Sequence, residues 1–162
     1  MISKNIKIFL AGHKGMVGSA IFSKLKKDGY KNIITVSKKK LNLLDQNKVE
    51  KFLKIKKPQI VIIAAAKVGG ILANNNFKAN FIYENITIQS NIIHGSYLSG
   101  VKNLIFLGSS CIYPKKAKQP IKESYFMTGP LEETNDAYSI AKIAGAKMCM
   151  EYSNQYKLNY KT

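Results

Sequence analysis

The chain has 162 residues, of which 46% are hydrophobic, and a formal net charge of +17. This length and apolar fraction suit one folded globular domain and exclude a chain that is disordered throughout. All 26 basic residues are lysine. Because evolved nucleic-acid surfaces use arginine for bidentate contacts, we attribute the charge to compositional bias and do not expect a nucleic-acid partner.

The sparse cysteines and histidines also limit the possible function. Cys111 and Cys149 are far apart and form no Cys-x-x-Cys motif, so a disulfide scaffold or a zinc site is not expected. The two histidines form no ligand cluster, and we predict no metal. The longest apolar run, residues 60–66, is too short to span a bilayer, and no signal peptide is visible. These features predict a soluble cytoplasmic protein without a membrane partner.

Hydrophobic patterning predicts strands and helices that alternate along the chain. In chain order we expect a strand at 6–11, a helix at 16–27, a strand at 32–36, a helix at 46–57 capped by Asp45, a strand at 59–66, a helix at 80–99, a strand at 104–107, a polar loop at 114–130 and a helix at 136–156. The apolar stripe of the third helix is assigned to Ile82, Ile86, Ile93 and Tyr97.

This alternation predicts an α/β fold, a Rossmann-like doubly wound parallel sheet that stops after about four βα units. Ligands of such folds bind at the carboxyl ends of the strands. Gly12 follows the first predicted strand, residues 64–70 follow the third, and Ser109 follows the fourth. We therefore expect one site at this edge of the sheet.

A glycine-rich loop lies between the first predicted strand and the first helix. It comprises Gly12, His13, Lys14, Gly15, Met16, Val17 and Gly18. Glycines allow a tight turn and a close approach of backbone N–H groups to a pyrophosphate, and the helix N-terminus favours the anion. The simpler alternative is a turn that merely needs glycine. We expect His13 to be positioned by the loop backbone rather than to be catalytic. The context favours a dinucleotide.

The end of the second predicted strand bears on which dinucleotide binds. A site for NAD usually has an acidic residue there to hold the ribose hydroxyls. Here the residues from 36 to 40 include three lysines and no acid. Lys38, together with Lys14 from the glycine loop, could neutralise a ribose 2′-phosphate, so we predict NADP.

Tyr138 and Lys142 are four residues apart in a predicted helix and so share one face. A neighbouring ammonium is expected to lower the pKa of a tyrosine toward neutrality, and a nearby serine such as Ser109 can hydrogen-bond the same substrate oxygen. This combination suits proton transfer at a carbonyl oxygen while a hydride reaches its carbon. The spacing alone is weak evidence, because the chain has nine tyrosines.

Three segments make the resemblance specific: AAAKVGGI at 64–71, GSSCIYP at 108–114 and AKIAG at 141–145. With the glycine loop they resemble the GDP-L-fucose synthase family of the extended short-chain dehydrogenase/reductase superfamily. The resemblance implies NADPH-dependent 3,5-epimerisation and 4-reduction of GDP-4-keto-6-deoxy-D-mannose. It assigns catalysis to Ser109, Cys111, Tyr138 and Lys142, with Cys111 in the epimerisation, and further cofactor contacts to Leu107, Gly108, Ser109, Ser110, Tyr138 and Lys142.

Members of that family are about twice as long and have a carboxyl-terminal substrate domain. The expectation is therefore an amino-terminal part, residues 1–162, forming one incomplete NADP-binding domain. Alone it should be inactive as a synthase and leave the edge of the fourth strand unpaired. The resemblance also implies a GDP-sugar substrate and a homodimer formed through the helices at 80–99 and 136–156.

Other functions remain compatible with the sequence. The chain could belong to another nucleotide-sugar epimerase, reductase or dehydratase. It could instead be a non-catalytic dinucleotide-binding module, although such a module would not need Ser109, Cys111, Tyr138 and Lys142 together. A basic nucleic-acid-binding domain is the third alternative, and its binding would weaken steeply with salt.

Overall fold

The protein forms a single five-stranded sheet in a computed structural model that describes residues 3–162. The strand order is β2-β1-β3-β4-β5, and every neighbouring pair is parallel. The strands are β1 (Ile8–Ala11), β2 (Ile33–Ile34), β3 (Ile60–Ile63), β4 (Asn103–Phe106) and β5 (Asn159–Lys161). The helices are α1 (Met16–Lys27), α2 (Gln46–Lys56), α3 (Ile71–Asn76), α4 (Lys78–Leu98) and α5 (Asp136–Tyr156). The predicted α/β Rossmann-like fold is confirmed.

Local signals set several helix ends as predicted. The bounds of α1 and α5 agree with the prediction to the residue. Asp45 caps α2, since its carboxylate accepts a hydrogen bond from the Lys48 backbone N–H at 3.0 Å. Gly29 follows α1 with φ +84°, a left-handed conformation that favours glycine. These residues therefore set the start of α2 and the end of α1.

The sheet has helices on both faces, as a doubly wound fold requires. Alternate residues of each strand point to opposite faces. One face packs against α2, α4 and α5; its buried residues include Phe9, Val61, Ile63, Leu104 and Phe106. The other packs against α1; its buried residues are Ile8, Leu10 and Ile62. The strand order places β2 on one side of β1 and β3 on the other. The boundary between β1 and β3 is therefore the topological switch point, where ligands of open α/β sheets bind.

The expectation of an unpaired edge beside β4 is wrong. Lys157 adopts a left-handed conformation after α5 and turns the chain back, so that β5 pairs in parallel with β4. Tyr160 is buried and donates a hydrogen bond from its hydroxyl to the Val101 carbonyl at 3.0 Å. A three-residue strand is too short to show a periodic pattern, so the sequence did not reveal it.

The predicted apolar stripe of α4 is only partly correct. Ile93 is fully buried, but Ile82, Ile86 and Tyr97 are half-buried. The buried face instead includes Asn85 and Gln89. Gln89 donates to the Ala141 carbonyl of α5 at 2.6 Å. Since α4 packs against α2, α5 and the sheet at once, its buried face includes polar residues whose partners come from neighbouring elements.

The segment after Gly70, predicted as a loop, contains the short helix α3. Two 3₁₀ turns, Ser110–Ile112 and Glu123–Tyr125, lie between β4 and α5. Of the helices within residues 3–162, none has the length and hydrophobicity needed to cross a membrane.

Candidate active site

The fold itself requires two of the three loop glycines. Gly12 has φ +89°, and a Cβ there would lie 2.6 Å from the Ala65 backbone N. A Cβ on Gly18 would lie 2.1 Å from the Gly12 carbonyl oxygen. These glycines let the loop, the start of α1 and the end of β3 pack together without any ligand.

Gly15 is different, because no atom of residues 3–162 excludes a side chain there. The nearest contact for its Cβ would be the Gly12 carbonyl oxygen at 3.4 Å, an ordinary van der Waals distance. Gly15 is also the N-cap of α1, with no side-chain cap and no acidic residue in the first turn. The first N–H groups of α1 are thus free of side-chain caps, an arrangement that suits an anion.

A cavity of about 670 Å³ extends from this loop along the carboxyl ends of β1, β2 and β3. Its volume is in the range of cofactor sites. The lining includes Lys38 and six of the seven predicted loop residues: Gly12, His13, Lys14, Gly15, Met16 and Val17. Gly18 is buried against the loop instead. The structure therefore brings the glycine loop and the end of β2 to one cavity.

The charges that line the cavity are mainly positive. Lys14 and Lys38 are exposed at its wall. The one acid among its described lining residues, Glu84, forms a part-buried ion pair with Lys67. The described lining residues at the end of β2 include Lys38 and no acid. This charge favours a nucleotide with an additional phosphate on its ribose over one with free ribose hydroxyls.

The residues after β3 also line the cavity, at the edge of the sheet where the sequence placed them. The Asn85 amide fixes this segment: it accepts from the Lys67 N–H at 2.9 Å and donates to the Lys67 carbonyl at 3.0 Å. The lining residues at 64–68 lie within the predicted segment 64–70, whereas the lining residues at 41–44 were not predicted. The three alanines at 64–66 suit this position, because small side chains at a strand end leave room for a ligand.

His13 does not behave as expected. Its Nδ1 atom is buried and has no hydrogen-bond partner within residues 3–162, so the loop backbone does not hold the ring. The backbone hydrogen bond within the loop, from the Gly15 N–H to the Gly12 carbonyl at 3.0 Å, closes the turn and does not involve the ring.

A second group of side chains lies where β4 ends. Ser109 caps the 3₁₀ turn, and its Oγ accepts from the Cys111 N–H at 3.3 Å. Tyr138, in the first turn of α5, faces both residues. Burial raises the pKa of Tyr138; the Ser109 hydroxyl opposes this shift and Cys111 adds to it. The predicted Ser109, Cys111 and Tyr138 are thus brought together.

Lys142 lies beneath this group on the same helix face. Its side chain is buried, and Nζ donates to the Leu107 carbonyl at 2.8 Å. The ammonium lies 4.6 Å from the centre of the Phe106 ring and 5.9 Å from that of Tyr138. Burial lowers the pKa of Lys142 to about 8. Its proton is therefore held far less tightly than that of an ordinary lysine.

The expected lowering of the Tyr138 pKa by Lys142 is contradicted. The ammonium is directed to the Leu107 carbonyl rather than to the phenol, and burial is the main cause that raises the pKa of Tyr138. Tyr138 is therefore a neutral proton donor in this structure. The predicted contacts at Leu107, Gly108 and Ser110 lie along the same strand end, where Leu107 holds Lys142.

The two cysteines have different environments. Both are free thiols. Cys149 is fully buried in the core, and burial raises its pKa to about 12. Cys111 is partly exposed beside Tyr138, and the Asn135 amide contacts its sulfur at 3.3 Å. Only Cys111 is placed for chemistry.

The sequence from residue 8 to residue 162 matches the model of the NAD dependent epimerase/dehydratase family. The chain belongs to this family. Every predicted site residue falls within the matched range. The chain is similar to a GDP-L-fucose synthase of Sinorhizobium fredii (strain NBRC 101917 / NGR234), with 56% identity over 95% of this chain and 49% of that protein.

Two solved structures of relatives show the same architecture. One is a GDP-D-glycero-L-gluco-heptose synthase from Campylobacter jejuni in the presence of NADPH, with TM-score 0.95, 44% identity and coverage of 99% of this chain and 47% of that one. The other is a GDP-L-fucose synthetase from Naegleria fowleri bound to NADP, with TM-score 0.88, 29% identity and coverage of 100% and 53%. This epimerase/dehydratase family chain spans about half the length of the relatives it matches.

Proposed function

We propose that this chain is the cofactor-binding part of an NADPH-dependent epimerase-reductase that converts GDP-4-keto-6-deoxy-D-mannose to GDP-L-fucose. The observation that supports this most is the grouping of Ser109, Cys111 and Tyr138 at the end of β4, in the same sheet edge as the dinucleotide cavity. A thiol two residues after the serine adds an acid/base group that a simple reductase does not need. The 56% identity to a GDP-L-fucose synthase agrees with this assignment.

The cofactor proposed for the cavity is NADP. The residues fit it: Gly15 leaves space at the N-terminus of α1, and Lys14 and Lys38 can hold a 2′-phosphate. A related structure of 44% identity was solved in the presence of NADPH, and another relative binds NADP. When bound, NADPH supplies a hydride for the reduction of the substrate.

Cys111 is proposed to move protons at carbon. The keto group at C4 acidifies the hydrogens at C3 and C5. In its thiolate form Cys111 can accept one of these protons: the C–H bond breaks, an S–H bond forms, and the electron pair is held on O4 as an enolate. Return of a proton to the opposite face inverts the centre and requires a second acid, which can come from another group or from solvent.

Tyr138 is proposed to donate a proton to O4 as the carbonyl is reduced. Its raised pKa keeps it protonated at neutral pH, and Ser109 can hydrogen-bond the same oxygen. Lys142, with its pKa lowered to about 8, stays largely protonated near neutrality and can supply positive charge as the phenolate forms.

Several properties of the whole protein are proposed on the same basis. The relatives have about as much chain again, so we expect this segment alone to bind cofactor but not to complete the reaction. We propose a homodimer in which α4 and α5 pair, since Tyr83 and Ile140 are exposed on those helices. Two free thiols fit a reducing, cytoplasmic location.

The second candidate is a reductase of another GDP-sugar. It is favoured by the 44% identity to a GDP-heptose synthase. The experiment is to supply the full-length protein that contains this chain with GDP-4-keto-6-deoxy-D-mannose and NADPH in deuterium oxide, and to identify the product by NMR. The proposal predicts GDP-L-fucose with deuterium at C3 and C5. A product reduced at C4 without deuterium at either carbon would favour the second candidate.

Two substitutions test the roles proposed for Cys111 and Tyr138. Cys111→Ser should reduce deuterium incorporation strongly while NADPH oxidation continues on a substrate that needs no epimerisation. Tyr138→Phe should slow NADPH oxidation by about 10²-fold or more, because general acid catalysis of this kind contributes about 10²–10⁴-fold. Full activity of the Tyr138→Phe variant would rule out its assigned role.

A further inference from the structure

Asn135, the residue before α5, contacts the thiol of Cys111. Its amide Nδ2 lies 3.3 Å from the Cys111 sulfur, within the range of a hydrogen bond to sulfur. Asparagine at this position usually caps its own helix, but the Asn135 side chain makes no such bond. The side chain is directed across the site instead.

Ser139 holds the amide in this orientation. Its hydroxyl is 3.2 Å from Asn135 Oδ1 and 3.1 Å from the Asn135 backbone carbonyl, and Ser139 is fully buried. The Ser139 N–H also donates to that carbonyl at 3.0 Å. The single hydroxyl proton of Ser139 is shared between these two oxygens, and because the oxygen and nitrogen of an amide lie on opposite branches, the contact with Oδ1 leaves Nδ2 facing Cys111.

The backbone of Cys111 is held by a separate hydrogen bond. The Cys111 N–H donates to Ser109 Oγ within the 3₁₀ turn, so the backbone that bears the thiol is held at the end of β4. The titratable group that faces Cys111 from α5 is Tyr138, and burial keeps it neutral where thiols titrate. An N–H donor is therefore the main polar contact of the sulfur within the described chain.

We propose that Asn135 is a positioning residue for Cys111, whose amide N–H donates to the sulfur and stabilises the thiolate over the thiol. A hydrogen bond to an ionised acceptor is stronger than one to a neutral acceptor, and the thiolate is the reactive form of cysteine. The value of this contact for epimerisation rests on the proposed function. The contact can be tested without turnover.

The test is the rate of alkylation of Cys111 by iodoacetamide, followed by mass spectrometry from about pH 6 to about pH 10. Cys149 is an internal control, because it is fully buried and its pKa is about 12. Asn135→Ala should slow alkylation at about pH 7 by about threefold to tenfold. Asn135→Asp, which keeps the shape but places a negative charge beside the sulfur, should slow it further.

The pH profile separates this role from a structural one. Loss of thiolate stabilisation moves the profile to higher pH and does not lower the plateau rate at high pH, because a more basic thiolate is at least as nucleophilic. Asn159→Asp is the matched control for Asn135→Asp, because the Asn159 amide bonds Asn103 far from the site. This control should leave the pH profile of Cys111 alkylation unchanged. Labelling of Cys149 would report unfolding.

Three results would overturn the proposal: an unchanged profile in Asn135→Ala, a faster rate at neutral pH, or the same proportional slowing at every pH. If Asn135→Ala does not fold, Ser139→Ala frees the amide without removing it and should move the profile in the same direction by less. Since neither NADPH nor sugar is present, failure here leaves the deuterium test of the proposed function intact.

Discussion

Lys142 should make the stability of this fold depend on pH in an unusual way. Burial lowers its pKa from 10.5 to about 8. Below about pH 8 the folded chain must hold a buried ammonium, which destabilises the fold. Between the two pKa values only the unfolded chain binds the proton, so the free energy of unfolding rises with pH. At about 1.36 kcal/mol per pKa unit, the shift corresponds to about 3 kcal/mol.

Lys142→Met removes this dependence while nearly keeping the volume. We expect the free energy of unfolding of the wild-type chain, minus that of the variant, to increase by about 2–3 kcal/mol from about pH 7 to about pH 10. The lost hydrogen bond to the Leu107 carbonyl adds only an offset that does not vary with pH. Burial raises the pKa of Tyr138, so this neighbour ionises less in the folded chain than an ordinary tyrosine does over the same range.

The assay is urea unfolding followed by circular dichroism, with both proteins measured in the same buffers so that the other lysines and tyrosines cancel. A difference that stays constant across this pH range would refute the reasoning. It would mean that Lys142 keeps an ordinary proton affinity or is solvated in the folded chain.

Two further predictions concern glycines. Gly15→Ala should weaken NADPH binding by about tenfold or more, because the methyl group fills space beside the N-terminus of α1. The same substitution should change the free energy of unfolding by less than about 1 kcal/mol. Gly70→Ala is the control and should bind NADPH normally, because a Cβ there would have no described atom within 4 Å. Gly145→Ala should destabilise the fold by about 1–3 kcal/mol in urea unfolding, since its Cβ would lie 2.6 Å from the Phe106 ring and 2.8 Å from the Gln89 side chain; unchanged stability would show that α4 and α5 separate at little cost.

The parts of the fold that the sequence predicted are those set by local signals. The Asp45 cap and the glycine after α1 depend on residues within a few positions, and both were correct. The glycine loop follows from its place between a strand and a helix. The structure adds the distinction between Gly12, which the fold requires, and Gly15, which it does not.

The features that the sequence did not reveal depend on tertiary packing. The pairing of β5 with β4 requires a left-handed turn at Lys157, which no sequence pattern marked. The buried face of α4 is partly polar because its partners come from other elements, as for Gln89 and the Ala141 carbonyl. The direction of Lys142 toward Leu107 likewise depends on how α5 crosses the end of β4.

The grouping of the site residues was predicted better than their electrostatics. Ser109, Cys111 and Tyr138 meet as expected, but helical spacing cannot show that the Lys142 ammonium is directed to the Leu107 carbonyl or that burial raises the pKa of Tyr138. The Asn135 contact to Cys111 was also missed. Asparagine before a helix usually indicates a cap, so the sequence pattern favoured a different role.

The measurement that tests the central claim most directly is a fluorescence titration of this chain with NADPH and with NADH. We predict binding that prefers NADPH, and a preference that falls by about tenfold in Lys14→Gln/Lys38→Gln because the 2′-phosphate loses its two cations. Lys39→Gln/Lys40→Gln removes the same charge from exposed positions outside the cavity lining and should keep the preference. A chain that is folded by circular dichroism yet binds neither nucleotide would contradict the assignment of the glycine loop and its cavity.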